Sequence, residues 1–311
     1  MSDLILHHYP MSPFAEKIRA VLGYKQLAYQ SVLMPRVMPK PELQALTGGY
    51  RRAPVLQIGA DVYCDTALIC DVLEHRASTP TLYPPAVKGA TRIIAQWADT
   101  SLFWAAMAYN LSPKGAAALF AGTPEAVAKA FVQDRAAMAV GMTRLRPGDA
   151  TAAYRSYLRR LANMLSDQPY LLGDAPSLAD FSAYHPLWFS RVINPVMADI
   201  LDATPGLLPW MDSIAAFGHG RPAELSPLDA IAVAAANTPA PLADEPFVDE
   251  HGIPLGSRVT VTPEIFGHEA TEGELLAATR MHYTLRRQDE RAGTLHVHFP
   301  RIGYVLRKAE G

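Results

Sequence analysis

Cysteine is nearly missing. Two of 311 residues, Cys64 and Cys70, are too few for a disulfide framework or a multi-cysteine metal site, and their spacing is not Cys-x-x-Cys, so a redox pair is not expected. An excess of either charge is missing too. The 28 Lys and Arg against 30 Asp and Glu leave a net charge of -2, which gives no reason to expect nucleic acid or an anionic membrane as a partner. The apolar stretch from Leu102 to Tyr109 falls far short of the ~18 residues that would span a bilayer. Met1-Ser2-Asp3 opens no basic segment followed by an apolar one. These absences together predict a soluble, cytoplasmic chain. What is present is apolar: half the residues are hydrophobic and 19% are charged, enough for real cores and too hydrophobic for a disordered chain. The length is about twice the ~150 residues of a typical domain, which predicts two domains, or two and an appendage.

The first eighty residues alternate extended and helical patterns. Leu4-Ile5-Leu6 reads as a strand, and Pro13 to Gly23 as a helix with Phe14, Ile18, Val21 and Leu22 on one stripe. A strand follows at 27–33, then a hairpin of Val55–Ile58 and Val62–Cys64, and a helix opened by Thr66 with Ala67, Ile69, Cys70 and Leu73 facing inward. From Val87 to Phe217 the texture is helical. Ser177 with Asp180 three residues on forms a variant capping box, and Pro186 predicts a kink or early stop near His185. Nine prolines between Thr204 and Pro263 mark a wrapping linker with one short helix after Ser226-Pro227. Beyond it, 258–262, 274–278, 282–286, 294–299 and 304–307 read as short strands of a small barrel or curled sheet. The expected units are residues 1–80, 86–218, 219–257 and 258–311.

The segment Tyr9-Pro10-Met11-Ser12-Pro13-Phe14 ends a strand and starts a helix with Ser12 just before it and Pro13 at its first position. A hydroxyl there faces the free amides and positive end of the helix, a setting that favours an anion such as a thiolate. A plain N-cap is the competing reading. Arg52-Ala53-Pro54 places a proline before a strand, where a cis bond would aim the preceding backbone at a ligand. Asp65-Thr66 opens a second anion-ready helix, and its acid could take an ammonium group instead.

Together with the helical second half, these motifs resemble cytosolic glutathione transferases over residues 3–217. Ser12-Pro13-Phe14-Ala15-Glu16-Lys17-Ile18-Arg19 is most similar to the omega class, which has Cys at the place of Ser12, and the zeta class has Ser there. The resemblance implies a thioredoxin-like domain followed by an all-helical domain, with glutathione as co-substrate and no metal. It implies that Ser12 contacts the glutathione sulfur with Phe14 beside it, and that Lys40 reaches the glycyl carboxylate. The backbone of Ala53 before Pro54 would pair with the cysteinyl unit, and Asp65 and Thr66 would hold the γ-glutamyl end. Trp104, Met107, Tyr184 and His185 would line the pocket for a small hydrophobic electrophile, and the assembly would be a homodimer. Asp65-Thr66 departs from the family's Glu or Gln followed by Ser. Met11 excludes a serine at that neighbouring place, and Tyr9 is a weak rival to Ser12.

The expected function is therefore Ser-assisted attack of the glutathione thiolate on an electrophile. A noncatalytic binding protein on the same fold, and a glutathione-dependent isomerase or dehalogenase, are the alternatives. His7 and His8 face opposite sides of their strand and read as structural. His296 and His298 share a strand face, with His282 a third candidate on the preceding strand; lacking an acidic partner at clear spacing, they read as a solvated face rather than a metal site. Arg51-Arg52 reads as a solvated loop.

Overall fold

The computed structural model describes residues 3–309, so the first and last two residues of the expected units lie outside the described residues. Four strands come from the first eighty residues: β1 (Leu4–His8), β2 (Ala28–Leu33), β3 (Val55–Ile58) and β4 (Asp61–Cys64), interleaved with helices α1 (Pro13–Tyr24), α2 (Pro41–Thr47) and α3 (Thr66–Arg76). β1 and β2 run parallel, β3 is antiparallel to β1, and β4 closes the hairpin. This is the thioredoxin-like order expected. On α3 it is Leu68 rather than Ala67 that turns inward; Ala67 is exposed.

The helical half comprises α4 (Lys88–Trp97), α5 (Phe103–Asn110), α6 (Pro113–Leu119), α7 (Glu125–Met138), α8 (Pro147–Met164), α9 (Leu178–Trp188) and α10 (Leu207–Ala215). α4 and α5 are joined by a π-helical turn over Ala98–Leu102, a wider turn of the kind that re-aims side chains at functional sites. At the start of α9, Asp180 Oδ2 accepts from the Ser177 backbone N–H at 2.9 Å and its hydroxyl at 3.0 Å. Its Oδ1 accepts from the Leu171 N–H and from Trp210 Nε1. Pro186 does not stop this helix: α9 continues to Trp188 and then widens into a π-helical turn over Phe189–Ile193. The missing proline N–H is absorbed because every residue of α9 is buried and held by its neighbours.

The prolines after α10 mark more than a linker. Arg221–Glu224 forms β5, parallel to β2, and α11 (Pro227–Ala235) follows with Ser226 as N-cap. The C-terminal strands β6 (Arg258–Pro263), β7 (Thr271–Ala278), β8 (His282–Asp289), β9 (Gly293–Pro300) and β10 (Tyr304–Lys308) form the expected sheet, but it does not stand apart. β9 pairs in parallel with β4, giving one ten-stranded sheet in the order β10-β6-β7-β8-β9-β4-β3-β1-β2-β5.

Two large cores follow from this arrangement, beside a small third one of Ile5, Val32 and Ala230 under α11. One packs Leu6, Ile18, Leu56 and Ile69 against Leu102, Tyr154, Phe181 and Trp210 of the helical half; the other packs Leu46, Val55 and Val62 against Val261, Leu285, Val297 and Phe299. The C-terminal strands thus share their core with the N-terminal unit. Gly49 marks the tightness of that joint, since a Cβ there would sit 2.0 Å from the Ala270 carbonyl oxygen. Gly23 does the same on α1, 2.1 Å from the Gly218 carbonyl oxygen.

His7 and His8 are buried on opposite faces. His7 Nε2 donates to Gln57 Oε1 at 2.8 Å, and Gln57 Nε2 donates to the Ala230 carbonyl of α11. His8 accepts from Arg19 at Nδ1, so its Nε2–H donates to Ser31 Oγ. Burial pushes both imidazoles down to about 4. Between pH 6.5 and about 4 the unfolded chain therefore takes up protons that the folded chain refuses. Stability is full above pH 6.5 and falls as pH drops through the window, by about 1.4 kcal/mol per pH unit for each histidine. Urea unfolding at pH 7.5 and 5.5 should show this loss, to which the lowered His185, His282 and His296 also add. His7→Gln should reduce the difference by one histidine's share, about 1.4 kcal/mol; an unchanged difference would remove His7 as a source.

Candidate functional site

Ser12 is extended (φ -76°, ψ 119°) and caps α1, its Oγ accepting from the Ala15 N–H at 3.2 Å. With that acceptor role filled, the hydroxyl proton is left to donate. Ser12 is buried within the protein yet lines a cleft of about 930 Å³ between the thioredoxin-like and helical halves. Phe14 lines it too, its ring 4.6 Å from Phe103 and from His185.

Ala53-Pro54 is cis and lies on the same cleft, immediately before β3. Asp65 has φ 79°, a left-handed conformation that a non-glycine residue holds only when its surroundings fix it. The fixing contacts are three. Its carbonyl accepts from the Ile69 N–H at 3.0 Å, its Oδ1 from the Ala67 N–H at 2.9 Å, and its Oδ2 from the Tyr304 hydroxyl at 3.0 Å. Thr66 Oγ1 accepts from Lys17 Nζ at 3.1 Å, and Lys17 in turn pairs with Asp99 at 2.5 Å. Asp99 reaches the cleft from the π-helical turn and also accepts from His185 Nε2 at 3.0 Å. The Lys17 ammonium and the His185 hydrogen bond hold its carboxyl below the usual carboxylate range despite burial.

Lys40 is buried on a basic wall of the cleft, its Nζ donating to the Arg51 carbonyl at 3.0 Å. Burial, with Arg135 nearby, lowers its ammonium to about 8, so an anion beside it would favour the charged form. Arg51-Arg52 is not a solvated loop. Arg51 bridges Asp134 of α7 and Glu269 of the C-terminal segment, both at 2.5 Å, while Arg52 Nε donates to the Phe266 carbonyl at 2.6 Å. Tyr9 lines this wall with its hydroxyl 3.4 Å from Arg135, away from a capping role.

The opposite wall is apolar. Trp104 and Met107 line it, and Trp104 packs edge-on against Phe266 at 5.1 Å, so the C-terminal segment completes this side. Tyr184 and His185 do not line the cleft. Tyr184 packs toward Trp210 in the helical core, and His185 sits behind Phe14, fully buried and bonded to Asp99. Because α9 is buried all round, its hydrophobic pattern gives no sign of which side meets a cavity. Cys64 and Cys70 are free and buried, with burial pushing both thiols up, Cys70 to about 12. His298 is not solvated either: Asp61 of β4 supplies the acidic partner that sequence spacing lacks, 3.0 Å from His298 Nε2.

The site therefore includes Tyr304, Asp99 and the Arg51-Arg52 pair, with Lys17 buried behind Asp99 and Thr66, and the sequence singled out none of them as ligand-facing. Only Arg51-Arg52 carried a signal, as an unusual basic pair. Among the described residues no helix is long and apolar enough to cross a membrane.

A thioredoxin-like unit carrying a capped α1 serine and a cis proline, closed over by an all-helical unit, defines a two-domain class. The glutathione S-transferase N-terminal domain model matches residues 6–81 and the glutathione S-transferase C-terminal domain model matches residues 124–213. The chain is 41% identical to a GST-like protein from Pseudomonas syringae, with 99% of this chain and 100% of that one covered and a TM-score of 0.84. This chain belongs to the glutathione S-transferase family. A glutathione S-transferase from Rhodospirillum rubrum shares the fold at 20% identity and a TM-score of 0.53, over 68% of this chain and 88% of that one. FtsZ-localized protein A of Caulobacter vibrioides is 26% identical over 184 residues, 57% of this chain and 73% of that protein.

Proposed function

We propose that the cleft binds reduced glutathione and that the protein transfers it, through a Ser12-assisted thiolate, to a small hydrophobic electrophile. The observation that carries this reading is that Ser12, cis-Pro54, Asp65, Thr66 and Lys40 line one cleft whose other wall is apolar. Glutathione is a peptide with a carboxylate at each end, an ammonium group and a thiol between them. Lys40 suits the glycyl carboxylate, the backbone before Pro54 the cysteinyl amide, and Asp65 the ammonium. The first turn of α3 suits the γ-glutamyl carboxylate. The Ser12 O–H then donates to sulfur, which lowers the thiol below its free value of ~8.5 and releases its proton to solvent. The thiolate attacks the electrophilic carbon, a C–S bond forms, and the leaving group departs with its electron pair. Trp104, Met107 and Phe266 would hold the electrophile. The reading includes a cytoplasmic homodimer, as the family resemblance implies.

Calorimetric titration with reduced glutathione in two buffers of different ionisation enthalpy tests it. Saturable binding with proton release near neutral pH is expected. Tyr304→Phe should weaken that binding about tenfold, because a hydrogen bond to a charged carboxylate is lost from the Asp65 subsite. No binding at millimolar glutathione would defeat the reading. It would favour a second one, a noncatalytic interaction protein, for which the similarity to FtsZ-localized protein A is the supporting observation.

A further inference from the structure

The parallel pairing of β4 with β9 places Asp61 opposite His296, and Tyr63 opposite His298. Side chains alternate along a strand, so Val62 and Val297 enter the core while Asp61, His296 and His298 share the other face. One ligand atom from each of these three lies within 4.8 Å of the others. Asp61 Oδ1 is 3.0 Å from His298 Nε2 and 3.7 Å from His296 Nδ1. Those separations bracket the ~3.4 Å expected between ligands bound tetrahedrally at about 2.05 Å.

The surroundings are built as an outer shell. His298 Nδ1 meets Thr284 Oγ1 at 2.9 Å, which leaves Nε2 as the ligating atom when Nδ1 carries the proton. Tyr63 stacks on the His298 ring at 4.5 Å and 12°, fixing its plane. Asp61 Oδ2 accepts from the Ala240 N–H at 2.8 Å, which turns Oδ1 toward the histidines. His296 Nδ1 is the residual: it is buried and has no hydrogen-bond partner among the described residues. Arg286, paired across from His296 on β8, is neutralised by Glu274.

We propose that Asp61, His296 and His298 form a site for one divalent transition-metal ion of the Zn²⁺ type, clipping the C-terminal strands to the thioredoxin-like unit. An ion there would satisfy the orphan His296 nitrogen and hold three ligands from two strands far apart in sequence. Two imidazoles and one carboxylate suit Zn²⁺, Co²⁺ or Ni²⁺ rather than Mg²⁺ or Ca²⁺, and three protein ligands leave a position for water.

The test uses the full, untagged chain, stripped with a chelator and titrated with Co²⁺, then with Zn²⁺ against a chromophoric competitor. The expected result is one equivalent per chain, a visible Co²⁺ d–d band displaced by Zn²⁺ and untouched by Mg²⁺, and a melting temperature raised by about 5 °C in excess Zn²⁺. His296→Ala should abolish the band. That variant removes no side-chain hydrogen bond at Nδ1, so its metal-free circular dichroism and melting should match the wild type and show that the fold is intact. Thr284→Val should weaken Zn²⁺ about 10- to 100-fold through the His298 ring. Absence of stoichiometric Co²⁺ or Zn²⁺ binding to the wild type, or binding undiminished in His296→Ala, would overturn the proposal and leave the cluster as a hydrogen-bonded strap.

Discussion

Ser12→Ala should lower glutathione-conjugating turnover about 10²- to 10³-fold while changing glutathione affinity less than about threefold. The argument starts from the cap. In the wild type the Ser12 oxygen already accepts from the Ala15 N–H, so what the hydroxyl offers a ligand is its proton. A donor aimed at developing or full negative charge in a water-poor site is worth orders of magnitude in rate, whereas glutathione would be gripped mainly at its two ends, by the subsites of Lys40 and Asp65. Removing the hydroxyl also removes an N-cap, so a stability loss of about 1 kcal/mol is expected alongside and must be measured separately. The pH profile separates the two effects. With Ser12 present the apparent pKa in kcat/KM should lie well below ~8.5, and in the alanine variant it should rise toward that value. Equal turnover in the variant would sink the catalytic assignment and leave Ser12 as a cap.

What made Ser12, Pro54, Asp65 and Thr66 legible is that their roles are set by backbone within a few residues. A strand end, a proline at N1 and a polar cap specify a helix start wherever they occur. Tyr304 had no such signal. Its hydroxyl reaches Asp65 across 239 positions, through a sheet that exists only because β9 adds in parallel to β4. A parallel pair between strands from opposite ends of the chain, with the whole helical half between them, leaves no periodic mark on either strand. The same pairing explains His296 and His298, which looked solvated because Asp61 lies on a strand of the N-terminal half. Arg51 looked like a loop residue for the related reason that its two acids, Asp134 and Glu269, come from α7 and the C-terminal segment. Tyr184 and His185 misled in the other direction: α9 was expected to show a side to the pocket and instead is wrapped on all sides.

The largest stability effect should come from Asp99→Asn, which is expected to destabilise the fold by about 3–5 kcal/mol at neutral pH and to lower the melting temperature by on the order of 10 °C. Lys17 is fully buried on α1, and its ammonium is held by Asp99 at 2.5 Å and Thr66 Oγ1 at 3.1 Å. Asparagine keeps the shape and the hydrogen bond with His185 and removes the only carboxylate that pairs with Lys17 among the described residues. Charge, not volume, is therefore what the variant tests. In the wild type the Asp99 carboxyl is held low and the Lys17 ammonium high. The contribution of Asp99 is thus present above its unfolded value of ~3.9 and lost as pH falls through the lower folded value. That of Lys17 is present below ~10.4 and lost as pH rises through the higher folded value. In Asp99→Asn burial acts on Lys17 without its main opposing charge and its folded value drops, so the unfolded chain binds the extra proton. Stability of the variant should consequently rise as pH is raised from 7 toward 10, while that of the wild type should not gain from this pair. Lys17→Met combined with Asp99→Asn should recover most of the loss, because an uncharged side chain of similar length no longer needs an anion. A loss below about 1 kcal/mol in the single variant, with no rise toward alkaline pH, would show that the pair is solvated enough to be idle. A loss of the expected size should bring weaker glutathione binding with it, since the Lys17 that pairs with Asp99 also fixes the Thr66 hydroxyl at the mouth of α3.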